Sequence, residues 1–426
     1  MIDSDVMLKK LAILADAAKY DASCASSGAE RRDSSSTGGI GSTTGGMGIC
    51  HSYAPDGRCI SLLKILLTNF CLYECAYCVN RTSSNVARAR FSVDEVVTLT
   101  MEFYKRNYIE GLFLSSGIIR SADYTMEQVV AVARKLRLEH RFAGYIHLKT
   151  IPEASPELLA EAGLYADRLS INVELPSEKS LNALAPEKNA RSIDRSMQNL
   201  DQGIREYKES KQQARKQRNR KLTLPKFSPS GQSTQMIVGA DTADDATILH
   251  RANSLYKSYR LKRVYYSAFS PIPDTSSQLP LQPPPLMREH RLYQADWLLR
   301  FYGFSLEELT YRPENSQQTG MLALDKDPKL AWALAHRELF PVDLNRADYE
   351  TILRVPGIGV INARRLVKQR RIRALRFTDL QRLRLPTKKV APFVTVLDHK
   401  PAGHQLDSEQ LAARFSSAAD KQLSLF

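Results

Sequence analysis

Long uninterrupted apolar runs are missing from this 426-residue chain, and no stretch reaches the ~20 residues that a membrane-spanning helix needs. The N-terminus carries Asp3 and Asp5 in place of the basic head of a secretory signal. Both features lead us to expect a cytoplasmic protein with no membrane partner. Cysteine is also scarce. Six thiols in a chain of this length, three of them in one loop, exclude a disulfide framework and fit a reducing compartment. Acidic residues run short in one place: residues 354–389 hold twelve Lys or Arg and a single acid, Asp379. A second basic run lies at residues 205–226. With a formal net charge of +14, the surplus points to a polyanionic partner.

The length suffices for one large domain and a smaller one, each with its own core. A first helix is expected over residues 4–20, followed by a Ser-, Thr- and Gly-rich linker over 26–48. Strands are expected at 60–67, 111–114, 145–148, 168–173, 235–238 and 263–266. Helices alternate with them: one opened by the Ser92–Glu95 capping box, one opened at Thr125, one over 156–162 between Ser155 and Gly163, a polar segment with the second basic run, and one over 244–259. Six strands in this alternation imply a parallel sheet with right-handed crossovers, an open βα barrel. Prolines at 271–285 end the pattern, and an amphipathic helix over 290–302 reads as a connector that covers the barrel's open side or docks the next domain.

The chemistry is concentrated after the first of these strands. Cys71, Cys75 and Cys78 stand at C-x3-C-x2-C, so one short loop can bring three thiolates to three irons of a cube and leave the fourth iron without a protein ligand. The alternative is a closed structural zinc site with Cys59 as fourth ligand. Cys24, Cys50 and Cys59 otherwise read as inert thiols.

This loop, with Tyr77 just before its last Cys, resembles the radical S-adenosylmethionine (SAM) enzymes. The resemblance implies a [4Fe-4S] cluster on Cys71, Cys75 and Cys78 whose open iron chelates SAM. It further implies an electron donor such as flavodoxin or ferredoxin, reductive cleavage to a 5′-deoxyadenosyl radical, and hydrogen abstraction from a substrate. It covers roughly residues 49–275 and implies a partial (βα)6 barrel, with Tyr77 against the cluster or the adenine. SAM is then expected across the C-terminal ends of the strands. Ser115, Ser116 and Gly117 stand where the family usually carries a Gly-Gly-Glu-like segment for the SAM amino group. Ser170, Asn172 and Glu174 stand where ribose or carboxylate is held, and Val238 and Gly239 in the loop along which adenine packs. His51, Tyr53 and Arg58, with Tyr265, Tyr266 and Ser267, are candidates for the substrate cleft. His147 is read as an ordinary structural histidine.

Near the C-terminus, residues 342–353 are expected to form a helix, residues 356–359 a tight Pro-Gly-Ile-Gly turn, and residues 361–369 a second helix. This resembles the helix-hairpin-helix DNA-binding motif, in which Gly357, Ile358 and Gly359 expose backbone N–H groups to a phosphate and read no bases. Arg364, Arg365 and Lys368 would add salt-dependent attraction. The fold class expected is thus α/β, a radical SAM barrel with an all-α helix-hairpin-helix domain.

The two modules together, with Ile49-Cys-His-Ser52, Pro55-Asp-Gly-Arg-Cys59, the segment Ser267 to Pro273 and the helix around Glu289 to Trp297, resemble a family of radical SAM proteins described as DNA modification or repair proteins. That resemblance implies sequence-independent binding to the DNA backbone and a DNA glycosylase-like repair partner. The expected organisation is a helix and linker (1–48), the barrel (49–275), a connector (276–335), the DNA-binding domain (336–400) and a tail (401–426). Gln422, Leu423, Leu425 and Phe426 at the end of that tail resemble the pentapeptide with which bacterial repair proteins hold the sliding clamp. An RNA-modifying enzyme and a non-catalytic, metal-stabilised nucleic-acid-binding protein are the competing readings.

Overall fold

The computed structural model describes residues 4–18, 48–53, 59–216, 225–272, 276–310, 320–402 and 409–416. Most of the expected linker, Arg58, and the clamp-like residues Gln422, Leu423, Leu425 and Phe426 lie outside the described residues. Two compact units are present: Met1–Thr242 with Ser254–Pro284, and Ala243–Asn253 with Pro285–Phe426.

The first unit is built on one seven-stranded sheet in sequence order. Its strands are β1 (Ile49–Tyr53), β2 (Cys59–Leu66), β3 (Gly111–Ser115), β4 (Tyr145–Lys149), β5 (Arg168–Ser170), β6 (Gln232–Val238) and β7 (Arg263–Ala268). All pairings from β2 to β7 are parallel; β1 alone runs antiparallel to β2. The six expected strands are therefore present, and a seventh, β1, closes the edge. The sheet curls into a half-barrel. Its helices are α1 (Ser4–Ala17), α2 (Val93–Lys105), α3 (Ala122–Leu138), α4 (Pro156–Tyr165), α5 (Glu178–Leu184) and α6 (Ala190–Lys216), with α7 (Asp245–Tyr259) crossing the division between the units.

Parallel strands must be covered on both faces, and these are. Leu63, Ile65, Leu112, Leu114, Ile146, Leu148 and Leu169 are wholly buried, as are Val96, Val129, Val132, Ala133 and Leu136 of the helices. Each such side chain contributes about 2 kcal/mol of transfer free energy. Alternate strand residues on the other face include Lys64, Phe113, His147 and Ser170, which are polar or aromatic. Lys64 on this face lines a cavity.

Local rules explain where the helices begin. Ser92 caps α2 in the reciprocal box with Glu95 that its sequence predicts. Thr125 does not open α3. Ser121 does, accepting from Tyr124 N, while the buried Thr125 hydroxyl bonds back to the chain around Ile119 and Ser121. Nor does Gly163 end α4. It lies inside the helix because a Cβ there would come within 2.4 Å of the Phe227 ring, so the glycine serves close packing and not a stop.

The second unit holds α8 (Leu286–Phe301), α9 (Leu306–Thr310), α10 (Pro328–Ala335), α11 (Tyr349–Arg354), α12 (Val360–Gln369), α13 (Phe377–Arg382) and α14 (Thr387–Val390), with a last helix over Glu409–Ser416. A short parallel pair, β8 (Val342–Asp343) and β9 (Val394–Thr395), ties the start of the segment 342–395 to its end. Residues 342–348 are thus not helical, because Asp343 enters this pair and Asp348 caps α11 through Thr351 N. Asn345 instead grips Leu375, accepting from its N–H at 2.7 Å and donating to its carbonyl at 3.3 Å. Among the described residues, no helix is long and apolar enough to cross a membrane.

Candidate iron–sulfur and SAM site

The cysteine loop leaves the C-terminal end of β2 and is fastened by backbone. Leu67 N donates to Ser115 O and Leu72 N to Ile118 O, both at 2.8 Å, while Gly117 N donates to Thr68 O at 2.7 Å. Gly117 has to be glycine: a Cβ would stand 2.2 Å from the Phe70 carbonyl. The far end of the loop is held by Ala76 N, which donates to Leu184 O at 2.7 Å. Asn69 pairs with the returning strand, accepting from Ala89 N and donating to Ala87 O, both at 2.8 Å.

Arg88 is the knot of this loop. Its guanidinium donates to the carbonyls of Asn69, Asn80 (2.9 Å), Arg81 (2.6 Å) and Ser84 (3.0 Å). Sequence reasoning passed over Arg88, since its partners are all main-chain and leave no trace in residue type.

Cys71, Cys75, Cys78 and Tyr77 line one cavity of about 960 Å³. The same cavity is lined by Ser115, Ser116, Gly117, Asn172 and Glu174, so the structure brings these predicted site residues together. Ser170 does not line it; it is buried and turned to His147, with Nε2 and Oγ 3.0 Å apart. Val238 and Gly239 do not line it. Val238 is fully buried and Gly239 is covered by the Pro284 ring, whereas Gln235 and Ile237 of the same strand face the space. Ser267 lines the cavity and Tyr266 is wholly buried. The side chains of His51 and Tyr53 are outside the described residues.

Lys188 and Glu153 are among the charged residues of the cavity that were not anticipated. Lys188 Nζ lies 2.5 Å from Glu174 Oε1. Burial opposes its charge, but Glu174 and the nearby Cys75 hold the ammonium above its ordinary range. Glu174 itself has φ of +62°, an uncommon conformation for a non-glycine residue, which its backbone bonds to Gln235 O and from Ile237 N over-determine. Glu153 keeps both carboxylate oxygens out of solvent without a well-aligned partner, and burial raises its pKa. Both sit in turns, where no periodicity marks them.

The donor set suits a cluster. Burial pushes the Cys75 thiol up to about 12, with Lys188 opposing and Cys78, Glu174 and Cys71 adding; burial likewise raises Cys78. Cys75 and Cys78 thus resist ionisation by themselves, and bound iron would reverse that balance by favouring thiolate. Among the described residues no three His, Cys, Asp or Glu converge on a single ion, whereas a cube takes its thiolates on separate irons.

Among the second-unit candidates, Arg364, Arg365 and Lys368 are exposed on α12. Ile358 is buried, and its carbonyl accepts from Lys329 Nζ at 2.6 Å. Gly357 has φ of +83°, and a Cβ there would stand 2.9 Å from Pro386 and 3.0 Å from Val390; Gly359 has only the Tyr302 hydroxyl, at 3.4 Å. The fold therefore demands glycine at 357 and leaves 359 free of that demand.

Solved structures with a similar path include HydG, a maturase of the [FeFe]-hydrogenase (13% identity, TM-score 0.39, covering 55% of this chain and 48% of that one). HydG from Carboxydothermus hydrogenoformans matches at 12% identity and TM-score 0.39, over 55% and 50% of the two chains. The radical S-adenosylmethionine methyltransferase TsrM from Kitasatospora setae matches at 12% and 0.33, over 49% and 36%. The matched region thus spans half or less of those chains. No curated protein sequence matches. The superfamily's cofactors are a [4Fe-4S] cluster and SAM. Residues 65–209, from the end of β2 through about the first three-quarters of α6, match the family model described as the Radical SAM superfamily.

Proposed function

We propose that this protein is a radical SAM enzyme that modifies or repairs DNA. The observation that carries the reading is the union, on one chain, of the cysteine-lined cavity with a second unit whose turn at residues 355–359 leads into the N-terminus of α12 and its exposed Arg364, Arg365 and Lys368. Helix N-termini and Gly-rich turns bind phosphate through backbone N–H groups, and this surface is strongly basic. In this reading the turn is a helix-hairpin-helix that grips the DNA backbone without reading its bases.

Cys71, Cys75 and Cys78 hold the cluster, and Tyr77 packs beside it. When bound, the cluster and SAM supply one-electron cleavage of the sulfonium and, from it, hydrogen-atom abstraction. Ser115, Ser116, Asn172 and Glu174 meet the polar groups of SAM, with Lys188 fixing the Glu174 carboxylate. Ile118, Ile151, Ile237 and Phe269 line the remaining wall and keep water from the reacting atoms. A target base in a duplex has to leave the stack to reach such a cavity. An electron donor such as flavodoxin or ferredoxin, a cytoplasmic setting, a sliding clamp and a glycosylase-like partner complete the proposal.

The test is anaerobic reconstitution with iron and sulfide, then reductant and SAM, with duplex DNA, single-stranded DNA or RNA added. Faster release of 5′-deoxyadenosine with DNA is expected. Acceleration by RNA alone would move the substrate to RNA, and zinc without any 5′-deoxyadenosine would leave a non-catalytic protein.

A further inference from the structure

Lys329, on α10, belongs neither to the cysteine-lined cavity nor to the exposed basic face of α12, yet its ammonium is buried against the turn at residues 355–359. The residue is 7% exposed, and its Nζ donates to the Ile358 carbonyl at 2.6 Å while standing 4.8 Å over the Tyr302 ring. Ile358 and Gly359 share a trans peptide, since the one cis bond among the described residues is Phe340–Pro341. The C=O and N–H of a trans peptide point in opposite directions. With its carbonyl turned inward to Lys329, this peptide therefore turns the Gly359 N–H the other way, on a residue that is only half-buried.

That N–H is left unspent by the turn. Ile358 N donates to Val355 O at 3.2 Å, and the Val360 N–H is taken by the Tyr302 hydroxyl oxygen. Among the described residues no acceptor takes the Gly359 N–H. A carbonyl that accepts from an ammonium polarises its own peptide, which makes the N–H at the other side a stronger donor. The effect is largest where the dielectric is low and little solvent screens the charge. The neighbours of Lys329 offset its charge only in part. Asp327 opens the same helix, but its carboxylate already accepts from Lys389 Nζ of α14 at 2.6 Å and from Leu330 N at 2.9 Å. Burial raises the Tyr302 phenol, which stays neutral, Arg354 of α11 is paired with Glu308, and residues 355–359 carry no titratable side chain.

We propose that Lys329 is a positioning residue for phosphate: its ammonium polarises the Ile358–Gly359 peptide from behind, so that the Gly359 N–H holds a phosphate of the DNA backbone more tightly. This role rests on the phosphate grip proposed above and adds a protonation state to it. Burial, with Asp327 opposing and Lys389 adding, brings the Lys329 amine down to about 7 in the free protein. A phosphate on the far side of the peptide favours the charged form and raises that value. Binding should then take up a proton, and affinity should be greatest below pH 7 and fall as the pH rises through it. A phosphodiester stays ionised across this range, so the proton goes to the protein.

The full chain can be tested with a labelled DNA duplex at pH 6.5 and 8.5, by fluorescence anisotropy and by calorimetry in two buffers of different ionisation enthalpy. Wild type should take up protons on binding and should bind about threefold or more weakly at pH 8.5, beyond any change in the variants. Lys329→Gln keeps a donor for the Ile358 carbonyl without the charge, and Lys329→Met removes both. Each should bind about threefold or more weakly than wild type at pH 6.5 and lose that share of the proton uptake. Circular dichroism reports whether they fold, and absence of uptake in wild type counts whether or not they do. No proton uptake by wild type, or a pH profile and uptake that both variants share with it, would overturn the role of Lys329, while salt-dependent duplex binding would leave the phosphate grip standing. Weak binding by the variants with an unaltered pH profile would make Lys329 a structural prop and likewise overturn it. No duplex binding by wild type at either pH would remove the grip and this role together.

Discussion

Arg88 Nη1 donates to the backbone carbonyl of Asn80 at 2.9 Å, eight residues back along the chain and two past the last cysteine. With its bonds to Asn69, Arg81 and Ser84, this one guanidinium spans both ends of the cysteine loop. Removing it takes a donor from four backbone carbonyls, at about 1–3 kcal/mol for each that stays dry and unpaired. Arg88→Ala should therefore lower thermal stability by several degrees and yield protein with less iron after reconstitution, while Arg88→Lys recovers only part. Full iron loading in Arg88→Ala would show the loop to be held by its other bonds.

Single replacement of Cys71, Cys75 or Cys78 by Ala should abolish SAM cleavage and bleach the cluster's visible absorption, because two irons would then lack a protein ligand. Retained 5′-deoxyadenosine formation in any one variant would remove that cysteine from the ligand set.

The two glycines of the second-unit turn should behave differently. Gly357→Ala forces a side chain into φ of +83° and against Pro386, and should cost about 1–3 kcal/mol of stability. Gly359→Ala meets only the Tyr302 hydroxyl at 3.4 Å and should fold normally. DNA affinity should nonetheless fall in Gly359→Ala for all sequences alike, and in wild type should fall steeply with salt. Unchanged affinity in Gly359→Ala, measured by fluorescence anisotropy, would argue against a phosphate at this turn.

Lys329 gives a pH dependence. Burial, only partly offset by Asp327, brings its pKa down to about 7 from an ordinary 10.5. The unfolded chain keeps this amine protonated up to near 10.5, so between the two values unfolding takes up a proton and stability rises with pH. Its bond to the Ile358 carbonyl and its place 4.8 Å over the Tyr302 ring favour the charged form and moderate the effect. The stability of wild type relative to Lys329→Met should improve by about 2 kcal/mol from pH 6.5 to 9. A flat difference across that range, by denaturant unfolding, would mean that the ammonium is accommodated at no cost.

Deleting residues 422–426 should abolish binding to a bacterial sliding clamp and leave DNA affinity unchanged, because an extended terminal peptide binds through its own few anchors. Equal clamp affinity with and without the pentapeptide would strike the clamp from the partners.

What could be read in the sequence was whatever repeats or is spaced. The C-x3-C-x2-C loop and the six strand–helix alternations are short-range patterns, and the strands follow them to within three residues at either end. Strand β1 escaped because Ile49-Cys-His-Ser-Tyr53 has no clear alternation and a neighbour that supplies its pairing only in three dimensions. Among site residues the same divide holds. Glu174 was picked by its place after a strand, while Lys188 needed the turn between α5 and α6 to bring it back to that carboxylate. His147 looked like any isolated histidine until the register set Lys64, Lys149 and Arg168 around it.

Each strand of the first unit bonds only to the strand before and the strand after it in the chain, and the hydrogen-bond anchors of the cysteine loop all fall between residues 67 and 187. No strand has to wait for a distant partner, so the sheet can grow in the order in which a ribosome delivers it. The thiol-bearing loop is framed once α5 has emerged, before β6, β7 or any of α8 to α14 has been made. On this topology the cysteine loop can take its shape on a nascent chain, ahead of most of the second unit.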